Sequence, residues 1–257
     1  MFYQIIQYIR FLFKSTNQHG VHSPFVFDLV TKCFYNKTRY ESYSSILNYR
    51  KSLIKNNTKI KVEDLGAGSQ VMKKQERLVS TIAKNAGTTY KRAKLLYRLT
   101  NYFKPENILE LGTSLGIATQ ALSLGSPEAH IISIEGCPET SKFTKQLLKN
   151  QQIEHVSLIT GNFNDEIKKL TSNKYDLIFF DGNHQKEATL DYFESLLQTA
   201  NNNSVFLFDD IYWSKNMTEV WETIKQHPKV TVTIDTFFWG FVFFRKEQSK
   251  EHFVIRC

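Results

Sequence analysis

From Asn107 onward the chain alternates short apolar runs with amphipathic ones, and this rhythm limits its folds more than any other feature. The apolar runs are Ile108–Leu111, His130–Ile134, Val156–Thr160, Tyr175–Phe180 and Val205–Phe208. Helical patterning falls near 115–124, 139–150, 163–171 and 186–200, and again at about 215–226. Strict alternation of strand and helix predicts a parallel sheet covered on both faces, because each parallel strand must be reached through a crossover. The end differs. "VTVTIDTF" and "GFVFFRK" read as two strands with a very short link through Trp239-Gly240, and a tight link joins only antiparallel neighbours. The expectation is an α/β sheet of five parallel strands, a sixth, and an antiparallel seventh.

Residues 1–104 read instead as a helical N-terminal cap, with the α/β domain spanning 105–257. A turn at Gly20 to Pro24 precedes a helix through Phe34, and a second helix is expected from about Tyr43 to Lys55. "VMKKQERLVSTIAKNA" reads as a helix closing at Gly87, and "TYKRAKLLYRLTNYFKP" as one stopped by Pro105. At the start, "MFYQIIQYIRFLFK" is too short to span a bilayer and lacks the pattern of a signal peptide. Phe2, Ile5, Ile6, Ile9, Leu12 and Phe13 fall on one helical face, with Gln4, Gln7, Arg10 and Lys14 on the other. That helix is expected to pack on the domain or on a second copy in a homodimer. Membrane contact is not expected.

The net charge of +8 is read as a lysine-rich solvated surface. Cys33, Cys137 and Cys257 are odd in number and share no metal spacing, which suits a reducing cytoplasm.

Two segments compete for a cofactor. "KVEDLGAGSQV" carries Gly66 and Gly68; "ILELGTSLGIA" carries Glu110, Gly112 and Gly116. A cofactor loop must follow a strand, open a helix, and be followed about 20 residues on by an acid at the tip of the next strand. The second passes: Glu135 stands at that tip and can accept both ribose hydroxyls. The first has a weak strand and leads only to helices. It is left as a turn in the cap, or as a lining of the acceptor entrance. Residues 110–116 lack the closely spaced third glycine that a dinucleotide pyrophosphate needs, which argues against NAD. An acid directly before the first glycine suits a cationic ligand group.

"ILELGTSLGIATQAL", "IISIEG", "YDLIFFDGNH" and "SVFLFDDIYW" together resemble class I S-adenosylmethionine-dependent methyltransferases. They are most similar to the catechol-type small-molecule O-methyltransferases and their bacterial relatives, over roughly residues 90–245. The resemblance implies a Rossmann-like seven-stranded methyltransferase sheet with an antiparallel last strand. It implies that Glu110, Gly112, Thr113, Ser114 and Gly116 surround the methionine moiety of S-adenosylmethionine. Glu135 would hold the ribose, Gly136 and Cys137 would flank the adenine, and Asn162 with Phe163 would follow the third strand. Asn162 stands where the family often has an acid.

Three acids reach strand ends: Asp181, and the pair Asp209-Asp210. Catechol-type enzymes hold a divalent cation with two aspartates and an asparagine at comparable places, so the resemblance implies Mg²⁺ or a similar ion at Asp181, Asp209 and Asp210. Asp181 is also expected against the cofactor. His184 replaces the family's lysine and, with Asp181, is the expected catalytic group. The aromatic cluster Tyr212, Trp213, Phe237, Phe238 and Trp239 would form either a substrate wall or core. The expected activity is O-methylation of a small molecule in the cytoplasm, with no DNA partner. The alternatives are an inactive binding or regulatory protein of the same fold, and a methyltransferase acting on RNA or protein.

Overall fold

The computed structural model describes residues 2–63 and 75–257. In chain order its elements begin with α1 (Phe2–Lys14), α2 (Pro24–Leu29), α3 (Ser42–Ile54), β1 (Lys59–Lys61) and β2 (Glu76–Leu78). There follow α4 (Val79–Asn85), α5 (Tyr90–Phe103), β3 (Asn107–Leu111), α6 (Ile117–Gly125), β4 (His130–Glu135) and α7 (Pro138–Asn150). Then come β5 (Val156–Thr160), α8 (Phe163–Leu170), β6 (Leu177–Phe180), α9 (Lys186–Leu196) and β7 (Val205–Asp209). The last are α10 (Lys215–Gln226), β8 (Val232–Asp235), β9 (Trp239–Phe243) and β10 (Glu251–Val254). The chain clusters into two compact units, Asn36–Glu166, and Met1–Tyr35 with Ile167–Cys257.

In the unit Asn36–Glu166, β3, β4 and β5 run parallel in that order, with Leu109 opposite Ile132 and Ile132 opposite Ser157. β3 is buried beyond its first residue, whereas β5 shows an exposed residue at two of its five positions. Burial on both faces calls for a continuous apolar run, and a flank strand tolerates polar positions. α6 is buried nearly all round, as its Ile117-Ala118 and Ala121-Leu122 pairs require. It approaches α5 so closely that a methyl on Gly125 would run into Thr100 Oγ1 and the carbonyl of Tyr97. α5 itself ends on Lys104 in the left-handed conformation, one residue before Pro105.

The other unit holds β6 and β7, which are parallel, and β9, which runs antiparallel to both β7 and β8. β9 therefore lies between β7 and β8, as a last strand inserted into the sheet. Every residue of β6, β7, β8 and β9 is buried, and phenylalanines interlock across them: Phe180 stacks on Phe208 at 4.2 Å between ring centroids.

The helix 215–226 and the alternating order of 107–209 come out as expected. Three boundaries differ. The link between the last two expected strands is Thr236-Phe237-Phe238, with Trp239 and Gly240 inside β9. Asp235 shapes this turn by accepting from the Phe237 amide at 2.7 Å. An eighth strand, β10, joins β8 in parallel, because Phe253 and Ile255 are buried and Thr16 bridges to Ile255. Its sequence is too short and too polar to announce a strand. Finally, Glu76–Leu78 is not helical: β2 pairs antiparallel with β1, and the helix starts only at Val79. Gly66, Gly68, Lys73 and Lys74 lie outside the described residues, and so does the role expected of that loop.

α1 forms where the 3.6-residue pattern places it, but it is turned over. Of its residues only Phe11 is buried, while Phe2, Ile5, Ile6, Ile9, Leu12 and Phe13 are exposed. The side facing its own unit carries Tyr3, whose hydroxyl donates to Thr218 at 2.8 Å, and Gln4, whose amide reaches the carbonyl of Trp213.

Replacing Gly125 by alanine should destabilise the protein by about 1–3 kcal/mol, the usual range for overpacking against backbone. Thermal unfolding measures it. A melting temperature equal to that of the unaltered protein would mean that α5 and α6 do not approach as described.

Candidate functional site

The loop between β3 and α6 is built on reversed backbone. Gly112 has φ 109°, Ser114 φ 46° and Gly116 φ 72°. The left-handed region costs an L side chain roughly 1–3 kcal/mol and persists only where its surroundings impose it. Here they do. The amides of Gly112 and Thr113 both donate to the carbonyl of Ile134, tying the loop to the end of β4. Thr144 of α7 donates to the Ser114 carbonyl at 2.6 Å, and Tyr49 of α3 donates to that of Leu115 at 2.7 Å. A Cβ on Gly116 would meet Thr144 at 2.9 Å and the Tyr49 hydroxyl at 3.3 Å, so both space and φ call for glycine.

Glu110 is fully buried beneath this loop. One carboxylate oxygen, Oε2, accepts from Thr119 at 2.6 Å and from Ser133 at 2.5 Å. Ser133 also shares a 2.6 Å hydrogen bond with Thr113. The other oxygen, Oε1, is buried with no hydrogen-bond partner among the described residues. Burial is the main force lifting the Glu110 pKa to about 7; the two hydroxyls oppose it, and the nearby Glu135 carboxylate adds to it.

Glu135, at the tip of β4, accepts the Ser114 amide at 2.7 Å on one oxygen and the Cys137 amide at 2.9 Å on the other. Both bonds fix the carboxylate in place. Cys137 is buried, with its sulfur 3.4 Å from the Glu63 amide and 3.5 Å from the Lys61 carbonyl. The β1 segment thus lies against the residues expected to flank an adenine. Asn162 is exposed, and its side-chain oxygen accepts the Asn164 amide at 2.9 Å, forming the turn that opens α8. Gly136 and Phe163 are half-buried beside these residues in sequence.

The second group of expected residues belongs to the other unit. Asp181 follows β6 directly, and Asn183 (φ 71°) and His184 (φ 42°) both take reversed backbone in the same turn. Asn183 donates to the Tyr192 hydroxyl at 2.8 Å. Burial pulls the His184 pKa below the ordinary histidine value, and the Asp209 carboxylate partly restores it. His184 is therefore neutral at pH 7 and able to accept a proton. Asp209 is buried at the end of β7, and Asp210 turns the chain with φ 54°.

The expected metal site is not assembled in this way. Among the described residues, no group of three or more His, Cys, Asp or Glu side chains is placed to hold a metal ion. The burial of Asp209 and the reversed backbone at Asp210 separate the roles of neighbouring acids that the sequence presents as a pair. The expected aromatic wall divides too. Trp239 is core, edge-on to Phe179, and Phe237 stacks on Tyr212 at 5.2 Å, while Phe238 is exposed.

Sequence reasoning missed the bracing shell: Tyr49, Thr119, Ser133 and Thr144. No spacing rule points to them, since they stand on four different elements, and Tyr49, Thr119 and Thr144 each share their helix with other hydroxyls. The one available signal was Ser133, a polar residue in the middle of an apolar strand.

Residues 109–211 match a family described as a methyltransferase domain. No curated protein matches the chain. Solved structures do. An S-adenosylhomocysteine-bound methyltransferase of Podospora anserina, PaMTH1, aligns at TM-score 0.62 and 14% identity, covering 88% of this chain and 97% of that one. The O-methyltransferase TomG of Streptomyces achromogenes, in complex with S-adenosylmethionine, aligns at 0.58 and 14%, covering 84% and 96%. A putative caffeoyl-CoA O-methyltransferase of Staphylococcus aureus aligns at 0.53 and 20%, covering 60% and 82%. Such identities speak to fold, and the fold agrees with the matched family and with the strand order. No helix among the described residues is long and apolar enough to cross a membrane. Residues 109–211 thus carry a methyltransferase-type domain on a Rossmann-like fold, with Glu110 beneath the β3–α6 loop and Glu135 at the tip of β4.

Proposed function

We propose that the protein transfers the methyl group of S-adenosylmethionine to an oxygen of a small-molecule acceptor. The observation that carries the cofactor's placement is the unpartnered Oε1 of Glu110. A buried carboxylate oxygen without a donor is costly, and a cationic ligand group at the β3–α6 loop relieves that cost. The ammonium of the methionine moiety is such a group. Glu135, held by two backbone amides, takes the ribose hydroxyls, with Gly136, Cys137, Asn162 and Phe163 assigned to the adenine side. Gly112, Thr113, Ser114 and Gly116 supply the close backbone approach. Bound there, S-adenosylmethionine supplies an activated methyl on a sulfonium.

The chain's own task is then to orient an acceptor, exclude water and remove a proton. We assign proton removal to His184. It is neutral at pH 7, and the buried Asp209 carboxylate stabilises the imidazolium formed when it accepts the proton. Asp181 is assigned to positioning the acceptor. No step is routed through a metal ion, because the described donors do not form a site for one.

One observation favours a second reading, an RNA acceptor. Between residues 36 and 104 the chain carries sixteen Lys and Arg against four Asp and Glu, and α5 presents Lys91, Arg92, Lys94 and Arg98 with no acid. Binding of a phosphate polymer would weaken steeply as salt rises. A methylation rate independent of salt on a small acceptor would retire that reading.

Three outcomes test the main proposal. Titration calorimetry should show S-adenosylhomocysteine binding with Glu135→Ala weakening it at least tenfold, about 1.4 kcal/mol. Absence of heat at millimolar ligand would end the proposal. Second, Glu110 holds its proton in the folded state up to about pH 7 but loses it near 4.5 when unfolded. The unfolded chain thus binds fewer protons across that window, and stability falls as pH rises through it, by roughly 3 kcal/mol at most. Glu110→Gln should flatten this slope in urea titrations, and cofactor affinity of the unaltered protein should rise toward pH 7 as the carboxylate ionises. Third, the acid limb of kcat/KM should lie below the ordinary histidine range and vanish in His184→Gln. A variant that keeps the limb while losing thermal stability would make His184 a structural residue.

A further inference from the structure

The outer face of α1 is the largest departure from ordinary burial in the described chain. Phe2 and Phe13 are 85% and 89% exposed at the two ends of the helix, and Ile5, Ile6 and Ile9 are close to half exposed between them. With Leu12 they form one stripe along a 13-residue helix about 20 Å long. An uncovered apolar face of this kind marks an interaction surface. The helix is firmly seated on its other side. Tyr3 and Gln4 are bonded to Thr218 and Trp213, and Tyr8 and Phe11 pack on Phe237 at 4.8 and 5.6 Å. Arg256 donates to the carbonyl of Leu12 at 3.2 Å, closing the helix end onto the C-terminal segment. The stripe therefore cannot be covered by rolling the helix without breaking these contacts.

Charge decides what covers it. Arg10 and Lys14 flank the stripe and are exposed, and no Asp or Glu occurs before Asp28. Pairing α1 with α1 of a second copy brings like charges together in either direction. Antiparallel helices set Arg10 and Lys14 against the positive N-terminal end of the partner helix. Parallel helices set each cation against its own copy. The acids nearest on the same unit, Glu219 and Glu222 of α10, already pair with Lys186 and Lys225 at 2.7 and 2.6 Å. An anionic lipid surface answers both features at once, taking the apolar stripe at the depth of the acyl chains and the two cations at the headgroups. We propose that α1 docks the protein on anionic bilayers, lying in the interface without crossing it. The basis is the tertiary seating of the helix, which turns outward the face that the sequence pattern suggests for packing. The proposal is independent of methyl transfer, and its test reads binding alone.

The protein is sedimented with phosphatidylglycerol–phosphatidylcholine vesicles and with pure phosphatidylcholine vesicles. It should partition to the first and far less to the second. Ile6→Glu with Ile9→Glu should lower partitioning at least tenfold. Arg10→Gln with Lys14→Gln should lower it by about fivefold per charge removed, on anionic vesicles only. All four positions are exposed, and circular dichroism checks that each variant stays folded. The charge variant leaves the apolar stripe intact, so it tests the idea even if the glutamates disturb the helix. Failure of the unaltered protein to sediment with anionic vesicles would overturn the proposal. So would unchanged sedimentation of the Ile6/Ile9 variant. A dimer by light scattering that this same variant converts to monomer would also overturn it, assigning the stripe to a second copy.

Discussion

The buried carboxylate of Glu110 is the constraint on which the candidate site is built. It stands in β3, yet its hydrogen bonds come from Ser133 in β4 and Thr119 in α6. One side chain thus fixes the relation of two strands and the helix that follows the loop. Because one oxygen takes both hydroxyls, the other is left without a donor. A protein interior tolerates that only when the group holds its proton or a ligand supplies the missing charge, and the raised pKa expresses the first case. The same atom is therefore a cost to the fold and, under the proposed function, the anchor for a cationic ligand group.

Strain accompanies this arrangement. Ser114, Asn183, His184 and Asp210 all take reversed backbone, and all stand just beyond the C-terminal ends of parallel strands. These are the places where open α/β sheets bind ligands. Strand ends need no such conformations for folding alone. At Ser114 the neighbours hold the reversal in place: Thr144 donates to its carbonyl, and its amide donates to Glu135.

Much of the core was legible in the sequence. The runs "LIFF" and "VFLF" are long enough to fill buried strands and too short for helices, so their placement was secure. Glu135 was legible because an acid at the tip of an apolar strand has few structural uses. Other parts were not. β10 owes its existence to Thr16, at the far end of the chain, and to β8, a pairing that no local pattern encodes. Tyr49 and Thr144 act on loop carbonyls across 66 and 30 residues of chain. The adjacent acids Asp209 and Asp210 look equivalent in sequence, but one is buried and the other sits in a reversed turn.

The sequence by itself determined the elements of this protein, since hydrophobic period and helix-stopping residues act over a few neighbours. The expectation that the loop after β3, and not the Gly66–Gly68 segment, serves a cofactor also comes from the sequence, because it rests on the order of strand, loop, helix and acid. Tertiary structure alone decided which atoms of those residues remain available. Among the described residues it left one oxygen of Glu110 without a donor, brought His184 within the influence of the Asp209 charge, and turned the apolar face of α1 outward. Periodicity states that a helix has an apolar side. Which side is covered depends on contacts such as Tyr3 with Thr218 and Phe11 with Phe237, made between residues more than two hundred positions apart.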